Sequence, residues 1–225
     1  MNREQALLVA DRQRSQARVL TRRGDLERAG QILVQLIETL RPSLAGDETE
    51  GSAPATSRAA LAGALADAYG MLGGVEWRQG DLTKALRAYE EGRALEETDD
   101  LAITDSYNLV NSIVVSLLLR PSEVNGLQHD LQVAISEMRA QLEGERRDQW
   151  WAWADYAVLL LLTGDTDQAF DAYARFESCG PTLTDYQAVL RVLRDLADAL
   201  GTVDADMEAS VWEAADYLSR GLARA

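Results

Sequence analysis

Few side chains in this sequence are of a type and spacing that could do covalent chemistry. His129 is the only histidine and Asp130 follows it, so no histidine pair can hold a metal and no imidazole stands beside a nucleophile motif as a base. Cys179 is the only cysteine. It precedes Gly180-Pro181, in a turn with no base nearby in sequence, which leaves no disulfide within the chain, no thiolate cluster and no activated thiol. The acidic run Glu96-Glu97-Thr98-Asp99-Asp100, with Asp105 beyond it, would bind a divalent cation only if its carboxylates projected from one helix face. It straddles a predicted turn instead, where helix capping and solvation account for it. No glycine-rich phosphate loop occurs; Gly70, Gly73 and Gly74 fall inside a helical pattern, where they allow close packing or local bending. These residues predict no enzyme: no catalytic residue, no metal and no cofactor.

The chemistry that remains is recognition. Arg14, Arg18 and Arg22 are spaced by four residues and form one basic stripe on a helix. Residues 1–41 hold eight arginines against five acidic residues, a local charge of +3, which leaves −18 on the remainder of a chain of net charge −15. Guanidinium forks in such a row fit a carboxylate-rich peptide or a C-terminal carboxylate, or pair with this chain's own acids. Trp77 with Arg78 is a pairing typical of peptide-gripping hot spots.

The elements that must carry these groups are helices. A phrase occurs three times: Arg23-Gly24-Asp25-Leu26-Glu27-Arg28-Ala29, Gln79-Gly80-Asp81-Leu82-Thr83-Lys84-Ala85 and Thr163-Gly164-Asp165-Thr166-Asp167-Gln168-Ala169. Glycine can end a helix in the left-handed conformation, aspartate can accept the free N–H groups of the next helix, and alanine lets the two approach. Strand signals are nearly absent. The chain is predicted to be all-α, a single domain over 1–225 of about nine or ten helices, at 3–22, 26–40, 58–78, 82–97, 101–119, 127–143, 148–162, 166–177, 184–199 and 206–223. Residues 42–57, small, polar and rich in Pro and Gly, are expected to be a mobile loop. Residues 178–225 are expected to be a helical cap, with Met207, Val211, Ala214, Ala215, Leu218 and Leu222 on one apolar face.

The whole-chain balance narrows the setting. An excess of 37 acidic over 22 basic residues predicts repulsion from nucleic acid and from anionic lipid. The longest apolar runs, such as Ala157 to Leu162, are far shorter than the roughly 20 residues of a membrane span. The N-terminal residues lack a signal peptide's apolar core, and the lone cysteine fits a reducing compartment. A cytoplasmic, soluble protein is expected, with no nucleic acid and no membrane as partners. Lys84 is the sole lysine, which with the abundant Ala and Leu reads as genome composition.

The turn phrases and their flanks resemble the tetratricopeptide repeat family. In the fourth pair Trp153, Tyr156, Ala157, Leu160, Gly164, Asp165, Ala169 and Tyr173 fall at that family's spacing. The second pair offers Tyr69, Leu72, Gly73, Gly80, Asp81, Ala85, Tyr89 and Gly92, with Glu76 where a large apolar residue is usual. The first keeps Ala17, Leu20, Gly24, Asp25, Ala29 and Leu33, with Gln13 in place of the aromatic. Gly24 to Gly80 is 56 residues and Gly80 to Gly164 is 84, against a family period of about 34, so the array is irregular and the second interval hides one degenerate pair. Residues 150–200 also look like repeat segments of bacterial signalling proteins and of the regulatory region of apoptosis-signal-regulating kinases. The acidic run is superficially similar to the magnesium-binding carboxylates of all-α prenyl-diphosphate enzymes.

The resemblance implies a right-handed α-solenoid of antiparallel helix pairs, whose first helices line a concave groove. Carried over, its groove positions fall on Asp11, Arg14, Arg18, Thr21 and Arg22, then on Asp67, Gly70, Gly74, Trp77 and Arg78. If Pro121 replaces the turn glycine of the third pair, they include Asn108 and Asn111, whose amides could hold a peptide backbone or make hydrogen bonds within the fold. In the fourth pair Trp151, Ala154, Val158, Leu161 and Leu162 are too apolar for an open groove. The C-terminal helix, a partner's amphipathic helix or a second copy of the chain should cover them, with Trp150 and Trp151 as anchors or core. The expected function is a non-catalytic bacterial adaptor that binds a protein or peptide. The alternatives are a ligand- or peptide-responsive regulatory sensor and, remotely, a helical enzyme.

Overall fold

Each Gly-Asp phrase ends one helix and starts the next with the same hydrogen bonds. Gly24, Gly80 and Gly164 have φ of 79°, 85° and 79°, a backbone that a Cβ would strain. The glycine N–H groups donate to the carbonyls of Thr21, Trp77 and Leu161, and the following aspartate N–H groups to those of Leu20, Glu76 and Leu160, at 2.9–3.1 Å. This Schellman pattern satisfies carbonyls that a helix end otherwise leaves without partners. The carboxylates of Asp25, Asp81 and Asp165 then accept the N–H groups of Arg28, Lys84 and Gln168 at 3.4, 3.0 and 3.3 Å, and so cap the next helix. Ala29, Ala85 and Ala169 are fully buried where the two helices meet.

The computed structural model describes residues 3–45, 55–101, 103 and 105–223. These form ten α-helices and no strand: α1 (Arg3–Arg22), α2 (Leu26–Ala45), α3 (Ala55–Arg78), α4 (Leu82–Glu96), α5 (Tyr107–Leu119), α6 (Gln128–Glu143), α7 (Trp150–Leu162), α8 (Thr166–Ser178), α9 (Leu183–Leu200) and α10 (Ala205–Leu222). No described helix is long and apolar enough to cross a membrane.

Three boundaries differ from the sequence reading. α2 continues through Pro42 to Ala45, because Leu44 gains burial against the cluster that holds Leu36, Leu40, Leu61 and Leu65, and a proline near a helix end sacrifices only one backbone bond. α3 starts at Ala55, so of the expected mobile loop 42–57 both ends are helical, and residues 46–54 lie outside the described residues. α5 starts at Tyr107 rather than 101, after a single 3₁₀ turn at Asp99–Leu101. Its first N–H groups are fixed by carboxylates: Tyr107 donates to Asp105 at 2.8 Å, and Asn108 and Leu109 donate to Glu96 at 3.2 Å each.

The chain divides into two compact units, Met1–Val115 and Ser116–Ala225. In the first, α1 packs on α2, and α3 packs on α1, α2 and α4. Ala6 and Ala10 meet Leu61, Leu65, Ala68 and Tyr69, whereas Ala17 meets Val75. Contacts thus advance in the same order along α1 and α3, so these two helices run parallel as neighbours. In the second unit α7 packs against α6 and α8, α9 pairs with α10, and α10 reaches α7 and α8.

The C-terminal helices are fastened by aromatic and polar contacts. Phe176 makes edge-to-face contacts with Trp150 at 5.9 Å and Tyr186 at 5.0 Å, and Phe170 with Tyr217 at 5.4 Å, arrangements that add to simple area burial. Glu177 accepts hydrogen bonds from the Tyr186 and Tyr217 hydroxyls at 3.3 and 3.0 Å. Val211, Ala214, Ala215 and Leu218 of the expected apolar face are buried, with Met207 and Leu222 at its half-buried ends. Val158, Leu161 and Leu162 of α7 are likewise buried inside this unit.

Candidate functional site

The arginine stripe of α1 splits into one committed member and two open ones. Arg14 is 14% exposed at its side chain; Nη2 donates to Asp11 at 2.5 Å and Nη1 donates to Asp67 on α3. The pairing with this chain's own acids is therefore realised at Arg14. Arg18 and Arg22 are exposed, and neither has an ion-pair partner among the described residues.

The Arg14–Asp67 bridge sets the register between the parallel helices. In this register Arg18, one turn on, comes level with Met71 of α3, and Arg22, two turns on, with Val75. Arg78 is exposed and folds back, its Nη1 donating to the Gly74 carbonyl at 2.9 Å. A Cβ at Gly74 would stand 3.2 Å from that nitrogen, so the missing side chain is what lets the guanidinium lie over the helix. Arg18, Arg22 and Arg78 are thus three exposed guanidiniums on the C-terminal halves of two neighbouring helices.

Other expected groove residues are withdrawn from the surface. Trp77 is only 9% exposed and packs into the fold instead of standing ready for a peptide. Gly70 is buried beneath Tyr107 and Asn108, whose side chains would lie 2.9 Å from a Cβ there. Asn108 is 1% exposed; its Nδ2 donates to the Ala66 carbonyl at 3.1 Å and to Glu96 Oε1 at 2.6 Å. Asn111, half-buried, turns its amide to its own helix, donating to the Tyr107 carbonyl at 2.8 Å. Of the two readings of these asparagines, internal hydrogen bonding is the one realised at Asn108, whose burial withdraws it from a peptide backbone, and Asn111 makes such a bond as well.

Glu96 is the centre of this internal knot and escaped notice in sequence, where it reads as one more acid of a run. At the end of α4 its carboxylate meets the N-terminus of α5, where the helix dipole and free N–H groups favour negative charge. Burial nevertheless dominates and pushes its pKa up to about 8, with Asp105 adding to the rise and the hydrogen bonds from Asn108 and Leu109 opposing it. A carboxyl raised above its unfolded value binds more protons folded than unfolded. The stabilisation is complete below about pH 4.5 and is lost as pH rises through about 8. The slope should approach about 1.4 kcal/mol per pH unit, and urea melts of wild type against Glu96→Gln measure it. The substitution should flatten the profile across that window.

The second unit places Trp151 half-buried under the Arg146 guanidinium, 4.8 Å from its ring centroid. Trp153 donates its indole N–H to the Arg147 carbonyl at 2.7 Å. Two clefts of about 650 and 390 Å³ share Trp153 and Arg175. In the larger, Arg147 and Arg175 face Glu143 and Asp148, so neither sign prevails, and the half-buried Cys179 thiol lies against the Arg147 carbonyl at 3.9 Å. His129 is exposed at the start of α6. Among the described residues no group of three or more His, Cys, Asp or Glu could hold a metal ion. A scan against known protein families and a search of curated proteins return no match to this chain.

Proposed function

We propose that this chain is a non-catalytic interaction module with a tetratricopeptide-like arrangement of helix pairs, acting as a cytoplasmic adaptor that captures an acidic peptide segment or C-terminal carboxylate on the strip formed by α1 and α3. The observation that carries this reading is the pair Arg18 and Arg22: exposed, one turn apart, and without counter-ions among the described residues of an acidic chain. The repeated Gly-Asp hairpins and the parallel first helices support the solenoid arrangement, in which such a strip is the concave face. Guanidinium forks bind carboxylates bidentately.

The strip acts at short range. Beyond about 8 Å at physiological salt its charge is screened, and the surrounding acidic surface gives no long-range attraction to an acidic partner. Binding should therefore be local and strongly salt-dependent.

The test is a fluorescence-anisotropy titration of a labelled octapeptide rich in glutamate. Wild type should bind it in low salt and lose it on raising the salt. Arg18→Glu/Arg22→Glu should weaken binding about 100-fold, equivalent to about 2.7 kcal/mol. Equal affinity of the double variant, or equal binding of a lysine-rich octapeptide, would remove the strip from the account.

A further inference from the structure

A cavity of about 390 Å³ lies in the first unit between the last turns of α2, the first half of α3 and the end of α4. It is distinct from the arginine strip. Its apolar wall is made by Leu44, Leu65 and Leu95, all packed on the cluster that joins α1, α2 and α3. Volume and lining fall within the range of small-ligand sites, which are mostly apolar with a few placed polar groups.

Those polar groups are unequally used. Arg41 is satisfied: Nη2 donates to Glu91 at 2.7 Å, and the guanidinium lies over the Tyr69 ring at 5.4 Å. Paired in this way, Arg41 and Glu91 bring no net charge to the cavity. Arg58, half-buried on the cavity wall, has no hydrogen bond or ion pair among the described residues. Tyr69 is 5% exposed, and its hydroxyl is buried without a hydrogen-bond partner. Burial raises the pKa of this phenol, with Glu91 adding to the rise and Arg41 opposing it, so the hydroxyl keeps its proton and remains a donor. Among the described residues, a cation without an anion and a buried hydroxyl without a hydrogen-bond partner thus flank one apolar wall, and buried donors of this kind are rare without a reason.

We propose that this cavity binds a small amphipathic carboxylate, its head group on Arg58 and its alkyl chain against Leu44, Leu65 and Leu95. A carboxylate supplies what both polar groups lack: two oxygens for the guanidinium fork, and lone pairs left over for the phenol. The chain removes apolar wall from water. A purely polar anion would leave that wall wet, and an alkyl cation would be repelled by Arg58.

Calorimetric titration of the full chain with octanoate, n-octylammonium and acetate tests the assignment. Octanoate should bind, acetate should bind at least tenfold more weakly, and octylammonium should not bind. Arg58 makes no hydrogen bond or ion pair among the described residues, so Arg58→Ala should fold as wild type and bind octanoate at least tenfold more weakly. Arg23→Ala, at an exposed position outside the cavity, should leave the affinity unchanged. No heat from octanoate up to roughly 10 mM, weaker than any specific pocket of this size would give, overturns the proposal. So does an affinity unchanged by Arg58→Ala, or octylammonium binding as well as octanoate.

Discussion

Asn108→Ala is expected to lower the stability of the chain by about 3 kcal/mol, the sum of a lost buried hydrogen-bonding group and the space it leaves. Asn108 is almost fully buried and uses one amide nitrogen for two acceptors, the Ala66 carbonyl on α3 and Glu96 on α4. Truncation leaves the Ala66 carbonyl without this donor and removes one of the groups that hold Glu96 at the start of α5. It also opens a void where the amide now fills the gap between Gly70 and Gly92. Chemical denaturation at pH 7 measures the loss. A change below about 0.5 kcal/mol, the level of an ordinary surface substitution, would show that the knot does not hold these helices together.

Gly92→Ala should change sign with the residue at position 108. Alanine in a helix interior ordinarily stabilises by about 1 kcal/mol over glycine. In the wild type, however, a Cβ at Gly92 would fall 2.4 Å from the Asn108 amide carbon, and the amide is held in place by its hydrogen bonds to the Ala66 carbonyl and Glu96. The substitution should therefore cost about 2–4 kcal/mol, in the range of overpacked cores. In the Asn108→Ala background the obstacle is gone, and the same substitution should stabilise by about 1 kcal/mol. Additive effects in this double-mutant cycle would contradict the close approach.

The helix plan was legible where local chemistry decides it. Gly24, Gly80 and Gly164 followed by aspartate specify a helix stop and start without help from the rest of the chain, and the turns have the hydrogen bonds that this chemistry requires. Pro121 likewise ends α5, at Leu119. Pro42 misled, because the burial of Leu44 outweighs one lost backbone bond. The start of α5 misled for a related reason: its cap comes from Glu96, on another helix, twelve residues upstream of Asn108.

The candidate site was legible only in part. A row of arginines can be read from a spacing of four, but whether each meets an acid depends on the neighbouring helix, and Asp67 takes Arg14 while leaving Arg18 and Arg22 open. Asn108 reads as a groove asparagine until Gly70 and Gly92, far from it in sequence, are seen to enclose it. Trp77, adjacent to an exposed arginine, turns inward. Single positions on a helix carry no label for which face a distant helix will cover.

The most direct test of the arginine strip is residue-by-residue mapping of where an acidic peptide binds, by ¹H–¹⁵N chemical-shift perturbation of the full chain titrated with the glutamate-rich octapeptide. Saturable shifts should concentrate at Arg18, Arg22, Gly74 and Arg78 and collapse in high salt. Shifts confined to residues of the second unit, or none at the strip at saturating peptide, would contradict the account.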